Sequence, residues 1–376
     1  MKTKLKIALV CPYDISINGG VQYVVKELSN FLSKKGHYVK ILTPKPANDI
    51  SGVKEDNIIY IGNSIDFRSP LHTTVQVSAS TNNETIRQIL KNEKFDIINF
   101  HEPWVPFLSR QILQKSTSIN VGTFHAKIPD TKIIKGLIKG LNPYLKSIIK
   151  SIDSFTACSN TAADYVNNLT EKEISIIPNF IDLSNFSKKK RLSPSKTKNI
   201  LYVGRLENRK GVKYLIDAYS VLEKKYDNLN LTIAGDGPNK EDLIKQAKLL
   251  GIRNITFPGR IDDKQKFKLL SEADLFCSPA IYGESFGIVL LEAMAARTVI
   301  VCGNNPGYSE LMKDIGAISV VDVKNITEFS DRLELLIFNN SIRNTILNWS
   351  NNYVEEFERS KILSKYENHF LKLVDK

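Results

Sequence analysis

The sequence predicts an α/β protein built as two doubly wound domains, and three observations carry that expectation. Short apolar runs alternate with amphipathic stretches, the pattern of a parallel sheet with helical crossovers. The alternation breaks once, over a basic, serine-rich stretch, and then restarts. A length of 376 residues is too great for one simple fold at about 150 residues per domain.

KIALVCP reads as the first strand, VQYVVKELSNFLSKKG as the helix after it and YVKILTP as the second strand. Val21, Val24, Val25, Leu28, Phe31 and Leu32 recur at helical spacing, and Gly36 stands where a C-cap glycine ends such a helix. FDIINFHEP, VGTFH and SFTACS supply later strands. Around SNFSKKKRLSPSKTKN (184–199) the apolar content collapses, which marks a domain junction. ILYVGR, VKYLIDAYSVLEKKY, LNLTIAGDG, EDLIKQAKLLG, ITFPGR, FKLLSEA, DLFCSP, FGIVLLEAMAA and VIVCG then repeat the alternation. The boundaries that follow are 1–181 for the first domain, 182–199 for a linker, 200–345 for the second domain and 346–376 for a C-terminal helical segment able to cross back to the first.

A composition of 42% hydrophobic and 24% charged residues excludes wholesale disorder. Cys11, Cys158, Cys277 and Cys302 lie far apart with no C-x-x-C, so neither a zinc site nor a disulfide framework is expected, and a reducing cytoplasm fits. No apolar run approaches the ~18 residues a membrane span needs, and Ile7 to Cys11 is too short for a signal-peptide core. The net charge of +12 favours anionic partners, although a lysine-rich coding bias accounts for much of it. A nucleic-acid surface would interleave aromatic and basic residues on one face, whereas Tyr and Phe here fall mainly in predicted strands and helix cores.

Open parallel sheets bind ligands at the carboxyl ends of their strands, and two such domains imply a cleft between them. After the first strand, Gly19 and Gly20 immediately precede a helix whose N-terminal N–H groups suit phosphate, although taken alone the pair is better explained as a plain connecting turn. GRLENRKG puts Arg205, Arg209 and Lys210 after the first strand of the second domain; Arg205 and Lys210 suit a diphosphate and Arg209 is expected to be solvated. In YGESFGIVLLEAMAA, Ser285 is expected to cap a helix starting near Phe286, which leaves Glu284 at its N-terminus. Glu292 lies in an apolar run and needs donors: either two sugar hydroxyls, or a lysine or arginine from elsewhere in the fold. His125 is placed at a strand end facing the cleft, and His101 is read as a turn residue. AGDGP (234–238) reads as a tight strand-to-helix turn.

Lys132, Lys135, Lys139, Lys146 and Lys150 form one stripe if their segment is helical, with Ile133, Ile134, Leu137, Ile138, Leu141, Leu145, Ile148 and Ile149 elsewhere on its surface. Such a helix can lie on an anionic membrane or present a solvated face on a core-packed helix.

Taken together, the glycine pair, the GR…RKG opening of the second domain and GESFGIVLLEAMAA resemble the retaining glycosyltransferases of glycosyltransferase family 4, which have the GT-B fold of two Rossmann-like domains facing across a cleft. IPNFID (177–182) and SEADLFCSP (271–279) are also similar to family segments. CPY…GGVQ, HEP and TFH most resemble the phosphatidylinositol mannosyltransferases within it, which implies transfer of mannose from GDP-mannose to a lipid head group. A UDP-sugar donor and a soluble or cell-surface polysaccharide acceptor are the alternative, and a non-catalytic sugar-nucleotide-binding protein is the reading from another class. By the resemblance Gly20 and its helix face the donor phosphates, Arg205 and Lys210 grip the diphosphate, and Glu284 contacts sugar hydroxyls. The same likeness has the backbone at Phe286, Gly287 and Ile288 meet sugar or phosphate, and Glu292 hold the ribose. Tyr13 and Gln22 match positions that meet the inositol ring, Asn63 and Arg68 match a head-group loop, and His125 matches the essential histidine near the transferred sugar.

Arg297 departs from the family, which has glycine after the AMAA run, so a different backbone is expected there. No D-x-D-like cluster sits at a predicted strand end, so a site that uses neither metal nor cofactor is expected, with basic side chains and helix N-termini neutralising the leaving diphosphate. The expected partners are a nucleotide-diphosphate sugar, a lipid-linked or glycan acceptor and an anionic membrane surface, and not nucleic acid. The expected location is the cytoplasm, at the inner face of the cell membrane.

Overall fold

A computed structural model describes residues 4–17, 19–46, 56–68, 74–78, 82–127, 142–186 and 197–375. It divides into two compact units, Met1–Pro178 with Ile362–Lys376, and Asn179–Lys361.

The first unit is an eight-stranded sheet of β1 (Lys6–Val10), β2 (Tyr38–Lys45), β3 (Ile58–Arg68), β4 (Thr74–Ser78), β5 (Ile97–His101), β6 (Ile119–Phe124), β7 (Ser154–Ala157) and β8 (Ile174–Ile176). Their order is β4-β3-β2-β1-β5-β6-β7-β8, parallel except for the antiparallel β3–β4 pair. Strand order therefore reverses between β1 and β5, and the loops leaving those two strands diverge there. Helices α1 (Gly20–Lys34), α2 (Asn83–Glu93), α3 (Leu108–Leu113), α4 (142–150) and α5 (Asn160–Asn167) connect the strands. Val24, Val25, Leu28 and Leu32 of α1 are buried, as their spacing requires, and Gly36 ends the helix at φ +88°. There a side chain would strain the backbone, and the glycine costs nothing.

The second unit is an all-parallel six-stranded sheet of β9 (Lys198–Val203), β10 (Leu229–Ala234), β11 (Ile255–Gly259), β12 (Leu275–Ser278), β13 (Val299–Gly303) and β14 (Val320–Val321), in the order β11-β10-β9-β12-β13-β14. Its reversal falls between β9 and β12. The connecting helices are α6 (Val212–Glu223), α7 (Lys240–Leu249), α8 (Asp263–Glu272), α9 (Ile288–Ala295), α10 (Pro306–Leu311), α11 (Ile326–Phe338) and α12 (Asn340–Tyr353). A single-turn 3-10 segment over Val354–Phe357 then separates α12 from α13 (Arg359–Val374), so the C-terminal stretch is two helices. From Ile362 onward α13 belongs to the first unit, where Ile362, Leu363, Tyr366 and Phe370 are buried.

Lys132, Lys135, Lys139 and the apolar residues from Ile133 to Leu141 lie outside the described residues. In α4, Lys146 and Lys150 are exposed while Leu145, Ile148 and Ile149 are core residues. Those three apolar side chains pack inward and are not offered to a membrane, a correction to the amphipathic-surface reading of this stretch. No helix of the described residues is long and apolar enough to cross a membrane.

Candidate active site

In the first unit the expected residues gather at the carboxyl ends of β1, β5 and β6, the end an open parallel sheet leaves for ligands. Gly19 is the N-cap of α1 with an extended backbone, and a Cβ there would lie 2.3 Å from Gln22 Oε1, which would have to move aside. A Cβ at Gly20 would meet nothing within 4 Å among the described residues, so the N-terminus of α1 is open at that point. Gln22 donates through Nε2 to the Asp14 carbonyl at 3.4 Å, which ties the first turn of α1 to the loop after β1. In that loop Tyr13 has its phenol held well above the usual range, by burial first and then by the Glu102 charge. Asn63 is exposed on β3 and Arg68 closes that strand, two strands away from β1.

His125 follows β6. Its Nε2 lies 2.8 Å from Nδ1 of His101, and the rings are within 10° of parallel. His101 is thus not a turn residue: it is the last residue of β5, buried and in register with Thr123 of β6. Burial lowers the pKa of His125 to about 4, and burial together with His125 pushes His101 well below the ordinary imidazole range, so the pair is neutral near pH 7. Glu102, the next residue, adopts φ +51° and is buried. Its carboxyl pKa rises to about 7, because burial outweighs the hydrogen bonds from the backbone at His125 and Ala126 and from Trp104. Sequence reasoning placed Glu102 beside His101 at a strand end but gave it no role, since only its place directly after a predicted strand marked it.

In the second unit the loops leaving β9 and β12 flank the strand reversal and carry the charged cluster. Glu284 Oε1 accepts from Arg209 at 2.8 Å and from Lys210 at 2.6 Å. Arg209 also reaches Glu207 at 2.8 Å, so it is a working member of the cluster and not a solvated bystander. The 3-10 turn Asn208–Lys210, closed by Gly211 at φ +66°, aims both cations at Glu284. Burial opposes the charge on Arg209, but Glu284 and Glu207 more than offset it and raise its pKa. Arg205 is the more exposed arginine, at 58%, and pairs with Glu207 at 3.0 Å.

Ser285 does not cap the next helix. Helix α9 begins at Ile288, its N-cap is Gly287 at φ +107°, and no side chain caps it. A Cβ on Gly287 would come within 2.9 Å of the Tyr308 ring, so both conformation and packing demand glycine there. The N–H groups of Ile288 and Val289 have no carbonyl within their own helix, which suits an anion. The Phe286 side chain is buried against Phe357, which leaves its backbone as the part a ligand can meet.

Glu292, on the buried face of α9, is bonded to Lys266 Nζ at 2.7 Å, and that lysine also reaches Asp263 at 2.9 Å. The lysine partner was one of two accounts open from the sequence, and the structure contains it. Burial still raises the Glu292 pKa against the pull of Lys266. Arg297 ends α9 at φ +57°, with Arg297 N–H bonded to Met294 O and Thr298 N–H to Ala293 O at 2.9 Å each. That is the left-handed C-terminal turn of a glycine, so the expected different backbone is not found; the arginine adopts the glycine conformation.

Two α/β units, each with its chemistry-bearing loops at a strand reversal, are the architecture of a GT-B glycosyltransferase. Solved structures agree at the level of fold: a glycosyltransferase from Rickettsia africae superposes with a TM-score of 0.78 at 19% identity over 99% of both chains. The Anabaena protein HepE, solved with UDP and glucose, gives 0.76 at 15% identity over 98% of this chain and all of that one. Residues 18–185 match the family described as Glycosyltransferase Family 4, and residues 184–352 match Glycosyl transferases group 1. A phosphatidyl-myo-inositol mannosyltransferase from Mycolicibacterium smegmatis is 31% identical over 328 residues, 85% of this chain and 81% of the relative. The protein of the same name from Mycobacterium leprae is 29% identical over 96% of this chain and 95% of the relative. The chain belongs to glycosyltransferase family 4 and is a glycosyltransferase.

Proposed function

We propose that the enzyme transfers mannose from GDP-mannose to a hydroxyl of a phosphoinositol-like lipid head group, with retained stereochemistry. The observation that carries the reading is the Arg209–Glu284–Lys210 cluster at the strand reversal of the second unit, in a chain whose relatives carry the mannosyltransferase name. Lys210, Arg205 and Arg209 supply positive charge for the leaving diphosphate, and the open N-termini of α9 and α1 add fixed dipoles. A lysine has three donors, so Lys210 can keep Glu284 and still meet a phosphate oxygen. Glu284, held in place by two cations, presents its remaining acceptor capacity to sugar hydroxyls. Glu292 binds the ribose, Tyr13 and Gln22 meet the acceptor ring, Asn63 and Arg68 its phosphate, and His125 orients the transferred sugar. These groups neutralise the leaving group without a metal ion or cofactor. The acceptor is taken from a membrane surface, to which Lys146 and Lys150 are attracted electrostatically.

A donor screen tests this reading. GDP- and UDP-sugars are compared for protection against thermal unfolding and for hydrolysis, then for transfer to phosphoinositol lipids, with and without EDTA. GDP-mannose should give the largest shift and a lipid product that survives chelation. Protection by UDP-sugars alone, or transfer to a soluble glycan alone, overturns the donor or the acceptor assignment respectively.

A further inference from the structure

Thr156, Thr123, Asn99, His101 and His125 form one continuous hydrogen-bonded row across three strands of the first unit. Thr123 Oγ1 lies 2.7 Å from Thr156 Oγ1 and donates to Asn99 Oδ1 at 2.7 Å. Asn99 Nδ2 lies 3.3 Å from His101 Nε2, and His101 Nδ1 lies 2.8 Å from His125 Nε2. The row follows from strand geometry. Residues 99 and 101 share a face of β5, 123 lies opposite 101 in register, and 156 lies opposite 123. Asn99, His101, Thr123 and Thr156 are all buried.

With the Asn99 amide oriented as in the structure, its oxygen toward Thr123 and its nitrogen toward His101, counting donors sets the remaining protons of the row. The Asn99 carbonyl takes the Thr123 hydroxyl, so the amide nitrogen faces His101 and can only donate. His101 Nε2 is then the acceptor, and a neutral imidazole carries its single proton on Nδ1, which faces His125. His125 Nε2 accepts in turn, and its own proton sits on Nδ1, which has no hydrogen-bond partner among the described residues.

We propose that Asn99 and His101 are positioning residues that lock His125 in its Nδ1–H tautomer, so that it meets the substrate as a hydrogen-bond donor and not as a base. The lone pair a base needs is on Nε2 and is already taken by His101. The functional half of this statement rests on the role proposed above for His125, and the tautomer half does not. A partner sugar hydroxyl or phosphate oxygen must then be the acceptor, and abstraction of the incoming proton falls to another group.

The test uses the full chain labelled with 15N-histidine, whose five histidines are resolved by long-range proton–nitrogen correlation, with spectra of His125→Ala and His101→Phe to assign the signals. His125 should show a protonated Nδ1 and an unprotonated Nε2. His101→Phe removes the donor and should abolish that fixed pattern, whereas His101→Asn, whose amide nitrogen can stand where Nδ1 stood, should keep it. Turnover should drop about 10²-fold in His101→Phe, with donor KM unchanged and partial recovery in His101→Asn. A wild-type His125 protonated at Nε2, or a pattern untouched by His101→Phe, overturns the proposal, and the wild-type spectrum decides even if a variant fails to fold. If the tautomer shifts while turnover does not, the relay stands and the assigned role of His125 in the reaction falls.

Discussion

Oε1 of Glu102 accepts the backbone N–H groups of both His125 and Ala126, at 2.5 and 2.8 Å, so one buried carboxyl oxygen fixes the main chain at the end of β6. Its other oxygen has no hydrogen-bond partner among the described residues. A half-satisfied buried carboxylate favours its protonated form, which accounts for the rise of its pKa to about 7.

That rise sets a pH dependence of known sign. The folded state holds the Glu102 proton more tightly than the unfolded chain, so its contribution is fully present below the ordinary value of 4.5 and is lost as pH rises to about 7. His125, lowered to about 4, acts in the opposite sense: its contribution is present above about 6.5 and is lost as pH falls through the folded value. Between pH 4.5 and 6.5 the two partly cancel. Glu102→Gln should remove the first effect alone, so that stability measured by urea unfolding rises more steeply with pH in the variant. The wild-type advantage over the variant should shrink by about 3 kcal/mol across the window. Parallel pH profiles would show that the Glu102 carboxyl titrates alike in the folded and unfolded chain.

Glu292→Gln should weaken nucleotide-sugar binding by about 1.5–3 kcal/mol in calorimetry, since a neutral amide replaces a charged acceptor. Lys266→Met leaves Glu292 buried with its main cation gone and should make donor affinity fall as pH is lowered. If Glu292→Gln alters stability but not affinity, the Lys266 pair is the whole purpose of the residue.

Lys210→Ala and Arg209→Ala should each lower turnover by about 10²-fold at saturating donor, with little change in unfolding midpoint. Arg205→Ala, which removes the more exposed arginine of the loop, should cost less. Wild-type turnover in Lys210→Ala would take that residue out of the leaving-group site.

Arg297→Gly should stabilise the second unit by about 1 kcal/mol, because a side chain at φ +57° is strained where glycine is not. Differential scanning calorimetry with and without donor measures it, and a lowered midpoint would mean that the arginine side chain contributes more than the strain costs.

Replacing Lys146 and Lys150 by Gln should weaken cosedimentation with anionic vesicles about 30-fold, from about 1 kcal/mol per lysine, and raised salt should mimic the substitution. With Leu145, Ile148 and Ile149 in the core, no insertion of these side chains adds to the attraction. Equal binding to neutral vesicles would contradict this.

Local pattern made much of this legible. Strand and helix alternation gave both sheets, and of the six apolar residues the helical spacing named in α1, Val24, Val25, Leu28 and Leu32 are buried while Val21 and Phe31 are partly buried. In GESFGIVLLEAMAA, Glu292 could be singled out because a carboxylate among apolar neighbours is costly wherever it occurs, and Glu284 because it precedes a predicted helix N-terminus. Long-range partnership was not legible. Lys266 reaches Glu292 from another helix, and the direction of Arg209 depends on a 3-10 turn that the local residues do not announce. His101 reads as a turn until the β5–β6 register sets it inside the sheet. Ser285 is a good capping residue in the wrong place, because Gly287 breaks the helical path after it.

The return of residues 362–376 to the first unit has a consequence for the order in which the protein can be made. A ribosome delivers the eight strands of the first sheet early, but Tyr366 and Phe370, both almost wholly buried there, come only after all of Asn179–Lys361. At about 5–20 residues per second the synthesis of that intervening unit takes roughly 10–40 s, so the first unit waits that long for its last helix. During that wait the surface of the emerging first unit that Ile362, Leu363, Tyr366 and Phe370 later cover is uncovered, so the nascent chain is open to chaperones at a site the finished enzyme does not show.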